Sequence, residues 1–230
     1  MARVVSWLGG VVFVASLGYG AYFYTVVLAD ASPTPAAGRA RAIAVNVLLF
    51  GAFALHHSVL ARTAAKRWVT RVVPERLERS VYVWIASLLF AATCWCWQLV
   101  PGILYDIRGP GRWLLFAVQL TAIVLIWRAA AMIDGLELAG IRQIQGRVRP
   151  VTFKASGPFG LVRHPIYLGW MLLVCAAPAM TINRLVFAII SSLYLLLAIP
   201  WEERSLIEAF GDRYRAYQST VRWRIVPGIW

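Results

Sequence analysis

Long apolar segments alternate with short polar ones along most of this chain. Six apolar segments approach or exceed the length of about 20 residues that a helix needs to cross a bilayer. They run from Val5 to Ala29, Ala42 to Leu60, Val81 to Val100, Trp113 to Ile133, Ile166 to Met180 and Leu185 to Trp201. The fifth segment is short and contains Pro178, so a kinked or partly re-entrant course is expected for it. The pattern predicts an all-α, polytopic integral membrane protein of about six transmembrane helices.

Beyond Trp201 the chain turns polar but keeps apolar residues at helical spacing. Gly211 interrupts this stretch. The apolar residues are Leu206, Ile207, Phe210, Tyr214 and Tyr217. Such a pattern predicts an amphipathic C-terminal helix that is broken near Gly211 and lies on the cytoplasmic face of the membrane.

Composition and charge agree with a membrane location. Hydrophobic residues make up 60% of the chain and charged residues 14%, against about 25% charged in soluble domains. The net charge of +13 would also suit a nucleic-acid-binding protein. Its distribution explains it differently, because sixteen Lys and Arg residues fall in the loops after the second and fourth segments and in the tail, against five in the opposite loops. This bias predicts cytoplasmic termini and contact with anionic lipid, without a nucleic-acid partner.

The run GPFGLVRHPIYLGW places chemically capable residues at the cytoplasmic start of the fifth segment. Pro165 suits the first position of a helix, which makes His164 its cap. Arg163 can grip a carboxylate, and Tyr167 shares a helix face with His164. Gly169 permits close approach of a backbone or a ligand. An alternative is purely structural, with the Arg as a membrane anchor and the Tyr in an interfacial aromatic belt.

Two adjacent carboxylates, Glu202 and Glu203, follow the last apolar segment. Carboxylates at a membrane exit are costly unless they are paired or solvated, so one alternative is simple pairing with a nearby Arg. A functional interpretation is that they hold an ammonium group, ribose hydroxyls or a sulfonium. Tyr214 and Tyr217 would add aromatic faces, which attract cations.

His56, His57 and Ser58 end the second segment, at the predicted depth of the Arg-His-Pro block. A histidine there can accept or donate a proton, although hydrogen bonding to neighbouring helices is an equal alternative. Gln143 is a weaker polar candidate for the substrate side. A metal site is not expected, because the chain has three histidines and no evident third ligand. The cationic Arg-His-Pro block together with the carboxylates of Glu202 and Glu203 and the two tyrosines fits the polarity of S-adenosylmethionine, which carries a carboxylate, an ammonium, a ribose and a sulfonium.

The same residues carry a resemblance to a known family. GPFGLVRHPIYLGW, then AAPAMTINRLVFA and WEERSLIEAFGDRYRAYQ, is similar to the C-terminal half of the isoprenylcysteine carboxyl methyltransferase and phospholipid methyltransferase superfamily. FALHHSVLARTAAKRWVTRVVPERLERSVYVWIASL and GLELAGIRQI resemble its bacterial methanethiol S-methyltransferase branch more narrowly.

The resemblance implies a membrane methyltransferase that takes S-adenosylmethionine from the cytosol. Its cofactor-binding residues would be Arg163, His164, Pro165, Tyr167, Gly169, Glu202, Glu203, Tyr214 and Tyr217. The substrate would be a small thiol, methanethiol, methylated to dimethyl sulfide at the inner membrane of a bacterium. His57, as a base, or Arg163, through its charge, would favour the thiolate.

We expect residues 1–133 to form the substrate side and residues 134–230 to form the S-adenosylmethionine site. Substrate residues would be His56, His57, Ser58 and Gln143. Three alternatives stay open at this point: a methyltransferase for lipid or prenyl-cysteine, a nicotinamide-dependent reductase with a related motif, and a non-catalytic membrane protein.

Overall fold

The computed structural model is almost entirely helical. It describes residues 2–31, 38–60, 69–133, 136, 139, 141 and 155–230. In chain order the helices are α1 (Ala2–Tyr22, continued by a π-helical turn, Phe23–Val27), α2 (Arg39–Leu60), α3 (Glu75–Trp95), α4 (Pro110–Met132), α5 (Pro158–Leu161), α6 (Pro165–Cys175), α7 (Ile182–Phe210) and α8 (Asp212–Thr220). Two short strands, β1 (Ile103–Asp106) and β2 (Ala179–Thr181), pair in a two-stranded sheet.

Five helices are long and apolar enough to cross a membrane among the residues described. They cover Ala2–Val27, Arg39–Val59, Glu75–Trp95, Pro110–Met132 and Ile182–Phe210. Large apolar side chains such as Leu48, Trp113 and Leu120 are exposed along them, as expected for surfaces that face lipid. The prediction of an all-α, polytopic membrane protein is confirmed.

The fifth predicted segment differs from a full span. Helix α6 has 11 residues, which at 1.5 Å per residue is about 16 Å of a hydrocarbon core about 30 Å thick. It ends at Cys175, and the chain then runs through Pro178 into strand β2. The N–H of Ile107, next to β1, donates to the carbonyl of Pro178 at 2.9 Å. The fifth predicted segment therefore runs first as helix α6 and then as the extended strand β2. Strand β2 pairs with β1, which lies just before α4 in the chain.

The sixth predicted segment also differs, because its helix does not end at Trp201. Helix α7 contains Pro200 and continues through both glutamates to Phe210, for 29 residues in all. Gly211, with φ of +57°, then separates α7 from α8, which confirms the predicted break. The apolar residues around it form one cluster, in which Leu206, Ile207 and Phe210 pack against Tyr214, Tyr217 and Val221.

The chain divides into two compact units. The first contains the described residues of Met1–Leu104, Asp134–Arg149 and Thr181–Val186, and the second those of Tyr105–Ile133, Pro150–Met180 and Phe187–Trp230. In the first unit, α3 packs against α1 and α2. In the second, α4 packs against α6.

Buried amides tie the loop ends of the first unit together. Asn183 is fully buried; its side chain accepts the N–H of Val100 at 2.7 Å and donates to the carbonyl of Asp30 at 3.0 Å. Asn46, also fully buried, exchanges two 2.8 Å bonds with the backbone of Gln98. Because buried polar groups are costly when unpaired, these contacts fix four separate segments of the chain to one another.

Candidate functional site

The Arg-His-Pro block is a short connector between two helices of the second unit. Helix α5 ends at Leu161, Val162 is extended and buried, and α6 begins at Pro165. His164 is the N-cap of α6, with φ −122° and ψ 64°. A residue before proline avoids the α region, and proline lacks the N–H that would stay unpaired at this position. The predicted start of the helix is confirmed.

Glu203 reaches this connector from helix α7 and pairs with Arg163. The Nε atom of Arg163 donates to Oε1 of Glu203 at 2.6 Å, and the two side chains are 8% and 6% exposed. The Nη1 atom of Arg163 donates to the carbonyls of Val221 at 2.9 Å and Arg222 at 2.8 Å. A buried ion pair offsets the free-energy cost of removing its charges from water only when further hydrogen bonds accompany it, as they do here.

His164 lies between the two glutamates and is itself buried. Its Nδ1 is 3.5 Å from Oε2 of Glu202, and its Nε2 is 3.3 Å from Oε1 of Glu203. Neutral imidazole has one N–H, so donating to both carboxylates requires the imidazolium. Burial lowers the pKa of His164, but the hydrogen bonds and charges of Glu202 and Glu203 outweigh it and raise that pKa above its ordinary value. The histidine thus lies between two carboxylates, and their charges favour its protonated form.

Glu202 is the more accessible of the two carboxylates. Its side chain is 43% exposed, and its Oε2 accepts the hydroxyl of Tyr167 at 2.6 Å. The Tyr167 ring stacks on His164, with centroids 5.3 Å apart and an angle of 19° between the planes. His164 and Tyr167 therefore share a helix face, as predicted. Both side chains contact Glu202, so its carboxylate is held in place and still accessible.

Tyr214 and Tyr217 are buried beside this network. Their rings lie 5.7 Å apart, and the hydroxyl of Tyr217 donates to the carbonyl of Phe159 at 2.6 Å, which joins α8 to α5. Burial, opposed by the charge of Arg163, raises the pKa of Tyr217 to about 12, and burial also raises the pKa of Tyr214. Deprotonation of both phenols is therefore disfavoured. A direct role for them in cofactor binding stays a prediction.

Gly169 makes room for a neighbouring helix. A Cβ atom at this position would lie 2.6 Å from Cγ1 of Ile126 and 3.0 Å from the carbonyl oxygen of Ala122, both on α4. The sequence predicted a close approach of backbone or ligand, and the structure shows the backbone. A contact of Gly169 with a cofactor stays a prediction.

The tail after α8 belongs to the site, which sequence reasoning missed. The N–H groups of Arg163 and His164 donate to the carbonyls of Trp223 and Arg224, each at 2.9 Å. Arg224 Nε and Gln218 Nε2 reach Oε2 of Glu203 at 3.3 and 3.4 Å. No local pattern marks these residues, since the tail arginines read as orientation charges. The sequence offered one general indication of further contacts: a carboxylate that becomes buried needs several hydrogen-bond donors around it.

The histidine pair lies in the first unit. Nδ1 of His57 is 2.8 Å from the hydroxyl of Tyr82, which also donates to the His57 carbonyl at 3.2 Å. The His56 ring stacks on Tyr82, and the guanidinium of Arg79 lies 4.8 Å from the same ring. Tyr82 is thus a partner that the sequence did not indicate. Ser58 follows His57 within α2, while Gln143 lies outside the described residues.

This fold and site define a polytopic membrane protein in which an Arg-His-Pro helix start meets a pair of glutamates. The chain is 39% identical over 218 residues to methanethiol S-methyltransferase of Mycobacterium tuberculosis, covering 91% of this chain and 89% of that protein. It is 36% identical over 215 residues to methanethiol S-methyltransferase 2 of Bradyrhizobium diazoefficiens, covering 91% and 82%. The chain belongs to the methanethiol S-methyltransferase family, as its motifs indicated.

A more distant similarity extends to animal proteins. The chain is 30% identical over 175 residues to nurim of Xenopus laevis, covering 67% of this chain and 59% of that protein. No family model and no solved structure matches the chain.

Proposed function

We propose that this protein transfers a methyl group from S-adenosylmethionine to methanethiol and releases dimethyl sulfide. The names of its bacterial relatives support the thiol substrate. The observation that carries the site assignment is Glu202, an accessible carboxylate fixed by Tyr167 and His164.

The residues present fit the methyl donor's charges. Its sulfonium and ammonium groups are cations, and Glu202 is a carboxylate with 43% of its side chain accessible. Its carboxylate needs a cationic or N–H partner. Since Nε and Nη1 of Arg163 are engaged with Glu203 and the tail, contact with a donor carboxylate would come from Nη2. Glu203 is contacted by four side chains and would hold Arg163 and His164 in position for the donor.

The chemistry needs an acceptor sulfur without its proton. When bound, the donor supplies an electrophilic methyl group on a sulfonium. The chain's own residues would hold the reactants in line and exclude water. His57 is proposed to take the thiol proton; with Nδ1 at Tyr82, the accepting atom would be Nε2. The positive charge of Arg163 would favour the thiolate as well.

The proposed location is the bacterial inner membrane, with both termini and the Arg-His-Pro block on the cytoplasmic side. The five long apolar helices support a multi-pass membrane protein. The uneven distribution of Lys and Arg supports the orientation. In this arrangement the methyl donor comes from the cytosol. Residues 134–230 would then bind the donor, while residues 1–133 would form the substrate side.

Radiolabelled methyl transfer by the purified protein tests the proposal. Methanethiol, a prenyl-cysteine and a phospholipid are offered separately with labelled S-adenosylmethionine. Label in volatile product from methanethiol alone supports the proposal. Label in a lipid or prenyl-cysteine fraction assigns the other branches of the superfamily, and no transfer to any acceptor contradicts a methyltransferase of this class.

A further inference from the structure

Each oxygen of the buried Glu203 carboxylate has its own pair of nitrogen donors. Oε1 meets Arg163 Nε at 2.6 Å and His164 Nε2 at 3.3 Å. Oε2 meets Arg224 Nε at 3.3 Å and Gln218 Nε2 at 3.4 Å. The first pair comes from the connector before α6 and the second from α8 and the tail. The orientation of this carboxylate is therefore set from two sides.

The tail brings Arg224 to this place through its backbone. Trp223 and Arg224 accept the N–H groups of Arg163 and His164, and Val221 accepts from the Arg163 guanidinium. These three hydrogen bonds join the tail to the Arg-His-Pro connector. The guanidinium at the end of the Arg224 side chain then reaches Glu203.

The residues that follow hold the Arg224 guanidinium in turn. Its central carbon lies 5.2 Å from the centroid of the Trp230 ring, a distance at which a cation is attracted to an aromatic face. The N–H groups of Arg224, Ile225 and Val226 all donate to the main-chain oxygen of Trp230, at 3.0 to 3.1 Å. A guanidinium that is stacked and anchored in this way loses little freedom when it pairs with a carboxylate.

We infer that Arg224 is a positioning residue of the methyl-donor site. It fixes Oε2 of Glu203, which leaves Oε1 directed at His164, and His164 in turn holds Glu202 through its other nitrogen. The inference rests on the proposed function, in which Glu202 meets the donor's cation. Arg224 itself does not touch the donor. Without its guanidinium, Oε2 keeps the long bond from Gln218 among the contacts of the described residues, and the buried carboxylate turns toward other donors.

Calorimetric titration of the detergent-solubilised protein with S-adenosylhomocysteine tests the inference. Arg224→Gln is expected to weaken affinity by about tenfold, with the binding stoichiometry kept, because it removes one charge-assisted contact. Arg224→Lys keeps the charge and should weaken affinity by less than Arg224→Gln. Arg213→Gln is the matched control, since Arg213 is an exposed arginine of α8 that makes none of these contacts. It should bind as the unchanged protein does.

A second variant tests the aromatic support of the Arg224 guanidinium. Trp230→Ala removes the ring that supports Arg224 and should weaken affinity in the same direction, by about threefold. The inference is overturned if Arg224→Gln binds with the affinity of the unchanged protein. It is also overturned if Arg224→Lys and Trp230→Ala both bind with that affinity. If the unchanged protein binds and its Arg224 variants match it, only this inference fails. If the unchanged protein shows no binding, the proposed function fails with it.

Discussion

The Nε atom of Arg163 lies 2.6 Å from Oε1 of Glu203, although 40 positions separate the two residues. Both side chains are more than nine-tenths buried. Around this pair, His164 reaches the neighbouring Glu202, which is accessible. The two adjacent glutamates therefore differ in role: one is enclosed and structural, and the other faces outward and is suited to a ligand.

Substitution of each glutamate separately should reveal this difference. Glu203→Gln leaves the buried Arg163 guanidinium without its counter-charge, and we expect it to lower the free energy of unfolding by about 3–5 kcal/mol. Glu202→Gln removes a solvent-screened charge and should cost less than about 1 kcal/mol. Denaturation in detergent without ligand gives both values. Equal losses in the two variants would show that burial does not distinguish them.

The stabilising effect of His164 should depend on pH. Its pKa is raised in the folded protein, so its contribution is complete below the ordinary value of about 6.5 and is lost as pH rises through the raised value. The melting temperature of the unchanged protein should exceed that of His164→Gln most at low pH, and the gap should narrow above neutrality. A gap that stays constant from about pH 5 to 9 would mean that the bridge does not need the imidazolium.

Gly169→Ala should destabilise the packing of α6 on α4. The added Cβ would lie 2.6 Å from Cγ1 of Ile126, and relieving such overpacking costs about 1–3 kcal/mol. Gly51→Ala is the matched control, because a Cβ there meets nothing within 4 Å and α2 gains a better helix former. Thermal unfolding compares the two. Equal stability of both variants would mean that α4 moves aside without cost.

His57→Ala should slow turnover while affinity for the methyl donor stays nearly unchanged. Loss of a proton acceptor typically costs about 10²–10⁴ in rate, with the loss smallest at high pH, where thiolate forms without help. Initial rates between about pH 6 and 9, together with titration of S-adenosylhomocysteine, separate the two quantities. Wild-type rates across that range would remove His57 from the mechanism.

Hydropathy was sufficient to predict the long helices, and the glycine itself predicted the break at Gly211. Helices α1 to α4 overlap the first four predicted segments, because partition into lipid depends on composition over about 20 residues. Local backbone preference placed the helix start at Pro165, since proline and its preceding residue restrict the local backbone. These features depend on residues that lie close together in the sequence.

The errors lie where distant residues decide the structure. The segment predicted to reach Met180 stops being helical at Cys175, because its end pairs as a strand with residues more than 70 positions earlier. The contacts of Glu203 with Arg163 and Arg224 join three separate parts of the chain. Nothing near Arg224 in sequence indicates its partner, so the tail could be recognised as part of the site only from the fold.

Headspace analysis for dimethyl sulfide tests the central claim most directly. Purified protein receives methanethiol and S-adenosylmethionine, and Glu202→Gln is assayed beside it. The account predicts dimethyl sulfide from the unchanged protein, and a KM for the donor raised about tenfold in the variant with the KM for methanethiol unchanged. Absence of dimethyl sulfide from the folded, unchanged protein, or an unaltered donor KM in Glu202→Gln, would contradict it.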